Sequence, residues 1–196
     1  VLDDTNHRIV VFDLRGGFLR SIGSYGSAPG QFNSPSSVFF DPLQSLLYVA
    51  DTHNGRCQVL RSDDGQVVCM IGAKSSDLSQ QTYFRCRLRV AVHPVTRKFF
   101  ALCDGIGNIL VRDLANELAE DKFFYFRGTS DFAFDPTGEH NTNVFLVQHH
   151  MIHTWQPPGP PRPISDLKGL VISGMAVHPK TGEIIVCDSA ADRLCF

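Results

Sequence analysis

Short apolar runs alternate with polar turns along the chain, at a spacing typical of β-strands. The stretch 36–72 shows this most clearly, because SSVFF, LLYVA, RCQVLR and QVVCMI follow one another within it. Asp41-Pro42, Asn54-Gly55 and Asp64-Gly65 fall between these runs, and such pairs favour tight turns. Four short strands separated by turns predict one antiparallel four-stranded unit.

This unit repeats. An Asp that closes an apolar run stands five positions before an Arg at three places: Asp3 and Arg8, Asp51 and Arg56, Asp188 and Arg193. Asp-Pro or His-Pro pairs close further apolar runs at 41–42, 93–94, 135–136 and 178–179. From the first of these Asp residues to the last, the markers advance by four repeats of roughly 46 residues, the length of a propeller blade. We therefore predict an all-β fold, a β-propeller of four-stranded antiparallel blades.

The markers also predict where the strands lie within each blade. The inner strands are predicted at 36–41, 88–93, 130–135 and 173–178, and the outer strands at 18–22, 67–71, 122–127 and 164–168. Alignment on the Asp-Pro and His-Pro pairs gives equivalent inner-strand positions to Ser37, Arg89, Asp131 and Gly174.

The first repeat resembles a known family. Residues 3–23 read DDTNHRIVVFDLRGGFLRSIG, which is similar to the NHL repeat, and Leu47 to Gly72 resembles a second copy. Later repeats depart from the pattern, since 98–128 lack the Arg and 142–170 lack both the Asp and the Arg. NHL propellers usually have six blades, so the resemblance implies a partial propeller of about three complete and two partial blades. The expected divisions are 1–35, 36–83, 84–128, 129–170 and 171–196, with the first and last partial.

Composition excludes some classes of partner. The formal net charge is −2, which gives no long-range attraction to nucleic acid or anionic lipid. No run approaches 18 apolar residues, so we expect no membrane insertion. Six cysteines without C-x-x-C spacing argue against a zinc or redox site. We interpret them as buried, reduced thiols of an intracellular, cytoplasmic protein, although their even number leaves room for disulfides.

The repeated Asp and Arg residues predict a structural feature. Each pair ends one strand and begins the next, which brings a carboxylate beside a guanidinium across a tight turn. In NHL proteins such pairs are structural, and we expect the same of Asp3 with Arg8, Asp51 with Arg56, and Asp188 with Arg193.

The candidate binding residues lie on the predicted top face, where blade connections and second-to-third turns meet. Arg85, Arg87 and Arg89 alternate along one side of a strand. Beside Tyr83 they would hold an acidic peptide or RNA phosphates. The alternative is a salt bridge from Arg89 to Asp131 and two solvated arginines. The face would also carry Asp131, His53 and Asn54.

Two other features have alternative interpretations. His149, His150 and His153 suggest a metal site of the type found in NHL-like amidating lyases, but zinc needs three or four convergent ligands and no further histidine is placed to join them. We therefore expect no metal, no cofactor and no catalytic residues. The segment 157–163, PPGPPRP, resembles an SH3 or WW ligand, and we interpret it as an extended polyproline-like connection.

The sequence thus favours a non-catalytic scaffold whose top face binds another protein. In NHL proteins such a domain often serves as the recognition part of a larger chain, for example a tripartite-motif ubiquitin ligase, with other blades or domains of the same parent as neighbours. RNA binding is the first alternative, and a metal-dependent lyase or lactonase is the second.

Overall fold

The chain forms strands and tight turns throughout the residues that its computed structural model describes, which are 1–72, 86–103, 107–116, 120–135 and 143–195. These residues contain one short 3-10 helix, Thr52–Asn54, and no helix long and apolar enough to cross a membrane. The strands are β1 (Leu2–Asp3), β2 (Arg8–Phe12), β3 (Phe18–Ile22), β4 (Pro35–Asp41), β5 (Leu46–Asp51), β6 (Arg56–Arg61), β7 (Val67–Ile71), β8 (Leu88–Val92), β9 (Lys98–Cys103), β10 (Asn108–Asp113), β11 (Lys122–Tyr125), β12 (Thr129–Phe134), β13 (Val144–Gln148), β14 (Met151–Trp155), β15 (Arg162–Asp166), β16 (Ile172–Val177), β17 (Ile184–Asp188) and β18 (Arg193–Cys195).

In the described residues these strands form five sheets, three with four strands and two with three. The three-stranded sheets have the orders β1-β2-β3 and β16-β17-β18. Two four-stranded sheets have the orders β4-β5-β6-β7 and β12-β13-β14-β15, and the third contains the order β11-β10-β9. Such a meander of short antiparallel strands is the blade of a β-propeller. The all-β prediction is confirmed, while the five sheets differ from the six blades expected of the whole propeller.

The predicted strand positions agree with the structure. The inner strands correspond to β4, β8, β12 and β16, and the outer strands to β3, β7, β11 and β15, with ends that shift by about two residues. Strand position was therefore readable from alternating apolar runs and turn residues alone.

The chain divides into two compact units, 1–92 and 93–196. In the first unit, Ile9, Ile22 and Val49 are buried together with Phe32. Phe32 belongs to the connection between the first two sheets, yet it is fully buried. Gly23 makes room for it, because a β-carbon at Gly23 would collide with the Phe32 ring. This connection is therefore part of the core.

In the second unit the core is aromatic. Trp155 on β14 is 1% exposed, and the rings of Phe100, Phe124 and Phe126 lie edge-on to it at 6.2, 4.9 and 5.0 Å between centroids. Edge-to-face contacts of this kind add stability beyond the buried area. A separate apolar cluster packs the last sheet against its neighbour and consists of Val147, Ile152, Ile172 and Val186.

Neighbouring inner strands are joined in the same way in both units. In the first, Ser37 Oγ on β4 accepts the Val90 N–H of β8 at 3.3 Å. In the second, Asp131 Oδ2 on β12 accepts the Met175 N–H of β16 at 2.7 Å. The alignment on Asp-Pro and His-Pro pairs makes Ser37 equivalent to Asp131. It also makes Val90 equivalent to Met175, so the two matching bonds support that alignment.

The Asp-Pro and His-Pro turns share one hydrogen-bonding device. Asp41 Oδ1 accepts the amide two residues later at 3.1 Å. His93 Nδ1 accepts the amides two and three residues later, both at 3.2 Å, and His178 Nδ1 accepts the equivalent pair. An imidazole nitrogen can therefore replace a carboxylate oxygen here. Burial lowers the pKa of His93, which keeps this nitrogen an acceptor.

The Pro-rich segment differs from its prediction. The Gly159 N–H donates to the Gln156 carbonyl at 2.9 Å, which closes a tight turn. Trp155 Nε1 holds this turn by donating to the Gly159 carbonyl at 2.7 Å. Arg162 and Pro163 belong to β15, an edge strand, where a missing N–H is tolerated. The prediction of an extended connection over 157–163 is therefore wrong.

The cysteine prediction is also wrong in part. Cys86 and Cys103 are disulfide-bonded, whereas the other cysteines are free. Of the free ones, Cys69 and Cys187 are exposed rather than buried. Bridging depends on the separation of the Cα atoms, which spacing along the chain does not reveal.

Candidate binding surface

Asp51 lies at the centre of a buried network at the turn between β5 and β6. Its side chain is fully buried, and Arg56 Nε donates to Oδ2 at 2.7 Å. Asn54 Nδ2 lies 3.0 and 2.9 Å from the two carboxylate oxygens, and Gln58 Nε2 donates at 3.2 Å. The Asn33 N–H adds a bond of 2.7 Å to Oδ1. Such a density of donors fixes the carboxylate and hence the turn.

The same side chains hold the connection 24–33 that precedes β4. Arg56 Nη2 donates to the carbonyls of Ala28 and Gln31, both at 3.0 Å. Gln58 Nε2 donates to the Gln31 carbonyl at 2.6 Å, and its Oε1 accepts the Gly30 N–H at 3.0 Å. These bonds fix the connection to the sheet that follows it. They hold its conformation although it contains no strand of its own.

Asn54 and His53, both predicted to bind a partner, have different surroundings. Asn54 Nδ2 donates inward to Asp51 and to the Gly26 carbonyl at 2.8 Å, so its amide nitrogen positions the turn. The His53 N–H donates to the Asn33 carbonyl at 3.0 Å, while its side chain is exposed. Of the two, His53 is the one that presents its side chain to solvent.

The turn after β1 repeats the arrangement at Asp51 in a more exposed form. Arg8 Nε donates to Asp3 Oδ2 at 2.9 Å, and Asn6 Nδ2 donates to the same carboxylate. The hydrogen bond from Arg8, followed by that from Asn6, lowers the pKa of Asp3. The exposed fractions of the Arg8 and Asp3 side chains are 43% and 25%.

The turn after β17 lacks the asparagine. Arg193 Nε donates to Asp188 Oδ2 at 3.2 Å, but Ala191 stands where the other copies have Asn. Backbone amides replace it, because Asp188 Oδ1 accepts the N–H groups of Val171 at 3.1 Å and Ala190 at 3.2 Å. The bond from Val171 is the main cause of the lowered pKa of Asp188. All three pairs thus tie a turn in place.

Turns and connections meet on one surface of the first unit. The Ser34 N–H donates to His7 Nδ1 at 3.0 Å, which joins the turn after β1 to the connection before β4. The His7 ring lies 4.9 Å from the ring of Tyr25, whose residue is 67% exposed. Sequence reasoning missed Tyr25, because none of the repeated markers includes it.

Arg87 reaches the same surface from the start of β8. Ser36 Oγ accepts the Leu88 N–H at 3.1 Å, donates to the Leu88 carbonyl at 3.0 Å and also bonds Thr52 Oγ1 at 2.7 Å. The residue before Leu88 therefore emerges beside the turn that carries His53. We call the surface formed by the turns 4–7 and 52–55, the connection 24–34 and the start of β8 the loop face. Its exposed side chains include Tyr25, His53 and Arg87.

The other predicted binding residues are placed differently. Arg89 is half-buried on β8, while Leu88 and Val90 on either side of it are buried, as the period of two requires. Asp131 is 4% exposed, and both of its oxygens accept backbone amides. Its expected role as a surface carboxylate is therefore wrong, because it joins two inner strands. Tyr83 and Arg85 lie outside the described residues.

The histidines near 150 do not assemble a ligand set. His150 Nε2 lies 3.6 Å from Asp166 Oδ1. His149 stacks over Gly128 in the turn. His153 is partly buried on β14, which lowers its pKa. Within the described residues, no group of three or more His, Cys, Asp or Glu side chains is arranged to hold a metal ion.

A search of known protein families found no model that matches the chain. Function is therefore inferred from the surface itself. The loop face combines a tyrosine, a histidine and an arginine on loops fixed by buried hydrogen bonds, which is an arrangement suited to recognition.

Proposed function

We propose that the chain is a non-catalytic interaction module of the NHL-repeat β-propeller type, and that the loop face binds a partner protein. The Asp51 network carries this proposal. It fixes the connection 24–33 and the turn 52–55 before any partner arrives, so little conformational entropy is lost on binding. Loops held on a rigid β-scaffold are a common location for binding residues.

The exposed side chains favour a protein partner. Tyrosine and arginine are enriched at the energetic centres of protein interfaces, because each gives a large contact area together with directed hydrogen bonds. A single-stranded RNA site instead needs a basic groove that follows several phosphates. The loop face carries the exposed Asp4 as well as Arg87, and the net charge of the chain is −2. RNA binding is therefore the less favoured alternative.

The parent protein is proposed to use this module for recognition. Because function depends on the site and not on the fold, a propeller can present a binding surface while other domains of the same chain carry out the catalysis. Substrate recognition for a ubiquitin ligase of the tripartite-motif kind is one role that fits.

The disulfide-bonded cysteines bear on the compartment. Structural disulfides persist in oxidising compartments and are rare in the cytosol. We infer from Cys86 and Cys103 that the protein works outside the reducing cytosol, which disfavours the ubiquitin-ligase role because ubiquitin ligases act in the cytosol and the nucleus. Counting free thiols in the denatured protein before and after reduction tests this. Four free thiols before reduction and six after it support the inference, and six in both states contradict it.

The binding proposal is tested by surface variants. The triple variant Tyr25→Ser, His53→Ser, Arg87→Ser should lose the proteins that co-purify with the wild-type chain, measured by quantitative mass spectrometry. A matched control on the opposite turns of the same sheet, Leu43→Ser, Gln44→Ser, Arg61→Ser, should retain them. Equal retention by both variants would refute the proposal.

Two further measurements separate the alternatives. RNA binding would appear as affinity for a random single-stranded pool, falling with salt at a slope of about −0.7 per phosphate contact. A lyase or lactonase would carry zinc, which elemental analysis of the purified protein detects.

A further inference from the structure

One pair of residues in the turn between β5 and β6 is chemically reactive. Asn54-Gly55 is the single Asn-Gly pair in the sequence, and its asparagine ends the 3-10 turn Thr52–Asn54. In such a pair the backbone nitrogen of the glycine can attack the side-chain carbonyl carbon of the asparagine, because glycine has no β-carbon to obstruct the approach. The attack expels the side-chain amide as ammonia, which makes this pair a candidate site of deamidation.

The folded turn keeps the reacting atoms apart. The Gly55 N–H donates to the Thr52 carbonyl at 3.0 Å, so the attacking nitrogen is already engaged. Asn54 Nδ2 lies 3.0 and 2.9 Å from the two carboxylate oxygens of Asp51 and donates to the Gly26 carbonyl at 2.8 Å, so the leaving group is held as well. The 3-10 backbone also turns the Gly55 nitrogen away from the Asn54 side chain, whereas closing a five-membered ring needs the two nearly eclipsed. Deamidation therefore requires the turn to open.

Opening of the turn makes the reaction possible, with water as the co-reactant. The Gly55 nitrogen bonds to Asn54 Cγ, the bond from Cγ to Nδ2 breaks, and the amide nitrogen leaves as ammonia with the proton of Gly55. Water then adds to one of the two carbonyl carbons of the cyclic imide and breaks its bond to the Gly55 nitrogen. Attack at Cγ leaves aspartate, and attack at the backbone carbonyl carbon leaves isoaspartate. Either product has a new carboxylate at position 54.

A carboxylate at this position is incompatible with the network around Asp51. The amide that donates to Asp51 is replaced by an oxygen that can only accept, facing three acceptor oxygens. The Asp51 side chain is fully buried, and two carboxylates that share a buried site cannot both ionise without a large penalty. Isoaspartate also adds an atom to the main chain, which disturbs the pairing of Asp51 with Arg56. The turn cannot close again as it was.

The other two repeated turns lack this reactive pair. In the turn after β1, Asn6 Nδ2 donates to the Asp3 carboxylate at 2.9 and 3.1 Å, but His7 follows it and its side chain obstructs the attack. In the turn after β17, Ala191 stands at the asparagine position. The reactive pair thus belongs to the turn whose ion pair is the most buried of the three. Asn6 provides an internal control.

We propose that Asn54 is a modification site that permanently records the opening of the turn 52–55. The folded chain keeps Asn54 as an amide, and the opened chain loses ammonia there. The product cannot rebuild the Asp51 network, which holds the connection 24–33, so the conversion acts once and in one direction. This inference goes beyond the proposed function, because the chemistry depends on the network and not on which partner the loop face binds.

Rates of deamidation in the folded and the denatured chain test the proposal. The whole chain is incubated at one mildly alkaline pH and one temperature, with and without guanidinium chloride, and tryptic peptides that contain Asn54 and Asn6 are followed by mass spectrometry. Because reaction from an opened turn is limited by the fraction of opened molecules, Asn54 should convert at least about tenfold more slowly in the folded chain. In the denatured chain Asn54 should convert faster than Asn6. Equal rates at Asn54 in the two states, or equal rates at Asn54 and Asn6 in the denatured chain, overturn the proposal.

Two variants test whether the network controls the rate. Arg56→Ala removes a buried donor of the network, and it should raise the rate at Asn54 in the folded chain. Gly128→Ala destabilises the second unit instead, and it should leave this rate unchanged. A rate in Arg56→Ala equal to that of the wild type overturns the proposal.

A further pair of variants tests the effect of the product. Asn54→Asp reproduces the aspartate product, while Asn54→Ala removes the amide without adding a charge. At neutral pH the midpoint of urea denaturation should be lower in Asn54→Asp than in Asn54→Ala. The difference should narrow as the pH falls, because a proton then neutralises one of the two carboxylates in the folded state. A midpoint in Asn54→Asp equal to or above that of Asn54→Ala overturns the proposal.

Discussion

Replacing Arg56 with alanine should destabilise the first unit more than the equivalent change at Arg8. Arg56 is 6% exposed, and its guanidinium bonds the Asp51 carboxylate and two backbone carbonyls. Removing one partner of a buried ion pair typically costs about 3–5 kcal/mol, because the other charge stays buried.

The remaining bonds determine where in that range the loss falls. Asp51 keeps its bonds from Asn54, Gln58 and the Asn33 amide. Of the two carbonyls, that of Gln31 still accepts from Gln58, and that of Ala28 still accepts the Gln31 N–H. No group is left without a partner, so we expect the lower end, about 3 kcal/mol.

Urea denaturation followed by far-UV circular dichroism measures this loss. Fluorescence of Trp155, the single tryptophan, reports on the second unit. Hydrogen exchange at the Gly30 and Asn33 amides reports on the network itself, and both should exchange faster in the variant.

Arg8→Ala is the matched control. It removes the equivalent guanidinium from a pair that is open to solvent, where ion pairs contribute little. Its effect should be a small fraction of that of Arg56→Ala. Equal losses in the two variants would show that burial of the pair is not what makes it strong, and would refute the reasoning.

Three further predictions concern other positions. Because burial lowers the pKa of His93 from its ordinary value of 6.5, the folded state binds fewer protons, and stability should fall as the pH drops through about 6.5. In His93→Asn the loss of stability between about pH 7.5 and pH 5.5 should be smaller, as measured by the midpoints of urea denaturation. A pH dependence equal to that of the wild type would contradict this prediction. Gly128→Ala should lower the free energy of unfolding by about 1–3 kcal/mol, since its β-carbon would meet the His149 ring. Gly169 has a similar φ but open space around it, so Gly169→Ala should lower the free energy of unfolding less. Equal losses in the two variants would rule out the collision. Trp155→Phe should cost about 1 kcal/mol in thermal melts through loss of the indole N–H bond to the Pro-rich turn, and an unchanged melt would argue against that bond.

The sequence by itself determined the strands and the turns, because these depend on residues close together in the chain. Alternating apolar positions marked β5 and β6, and the spacing from Asp51 to Arg56 placed an ion pair across the turn between them. The Asp-Pro and His-Pro pairs marked equivalent strand ends, since Asp41 Oδ1 and His93 Nδ1 both accept amides from their own turn.

Tertiary structure decided which of these side chains face solvent. Asp131 resembled a surface carboxylate in the sequence, yet it bonds Met175 on the next inner strand, 44 positions away. Tyr25 carried no special pattern, but the packing of its connection leaves its ring exposed beside His7. Neither outcome is encoded in local spacing, because each depends on contacts between segments far apart in the sequence.

The same reason explains the Pro-rich segment and the pairing of the strands around it. Proline content predicted extended chain over 157–163, whereas the buried indole of Trp155 holds a turn at Gly159. Only the register of β14 with β15 places Thr154 opposite Arg162. Local residue types fix strands and turns, but pairing and packing across the sheets decide which polar groups are satisfied inside the protein and which remain free to bind.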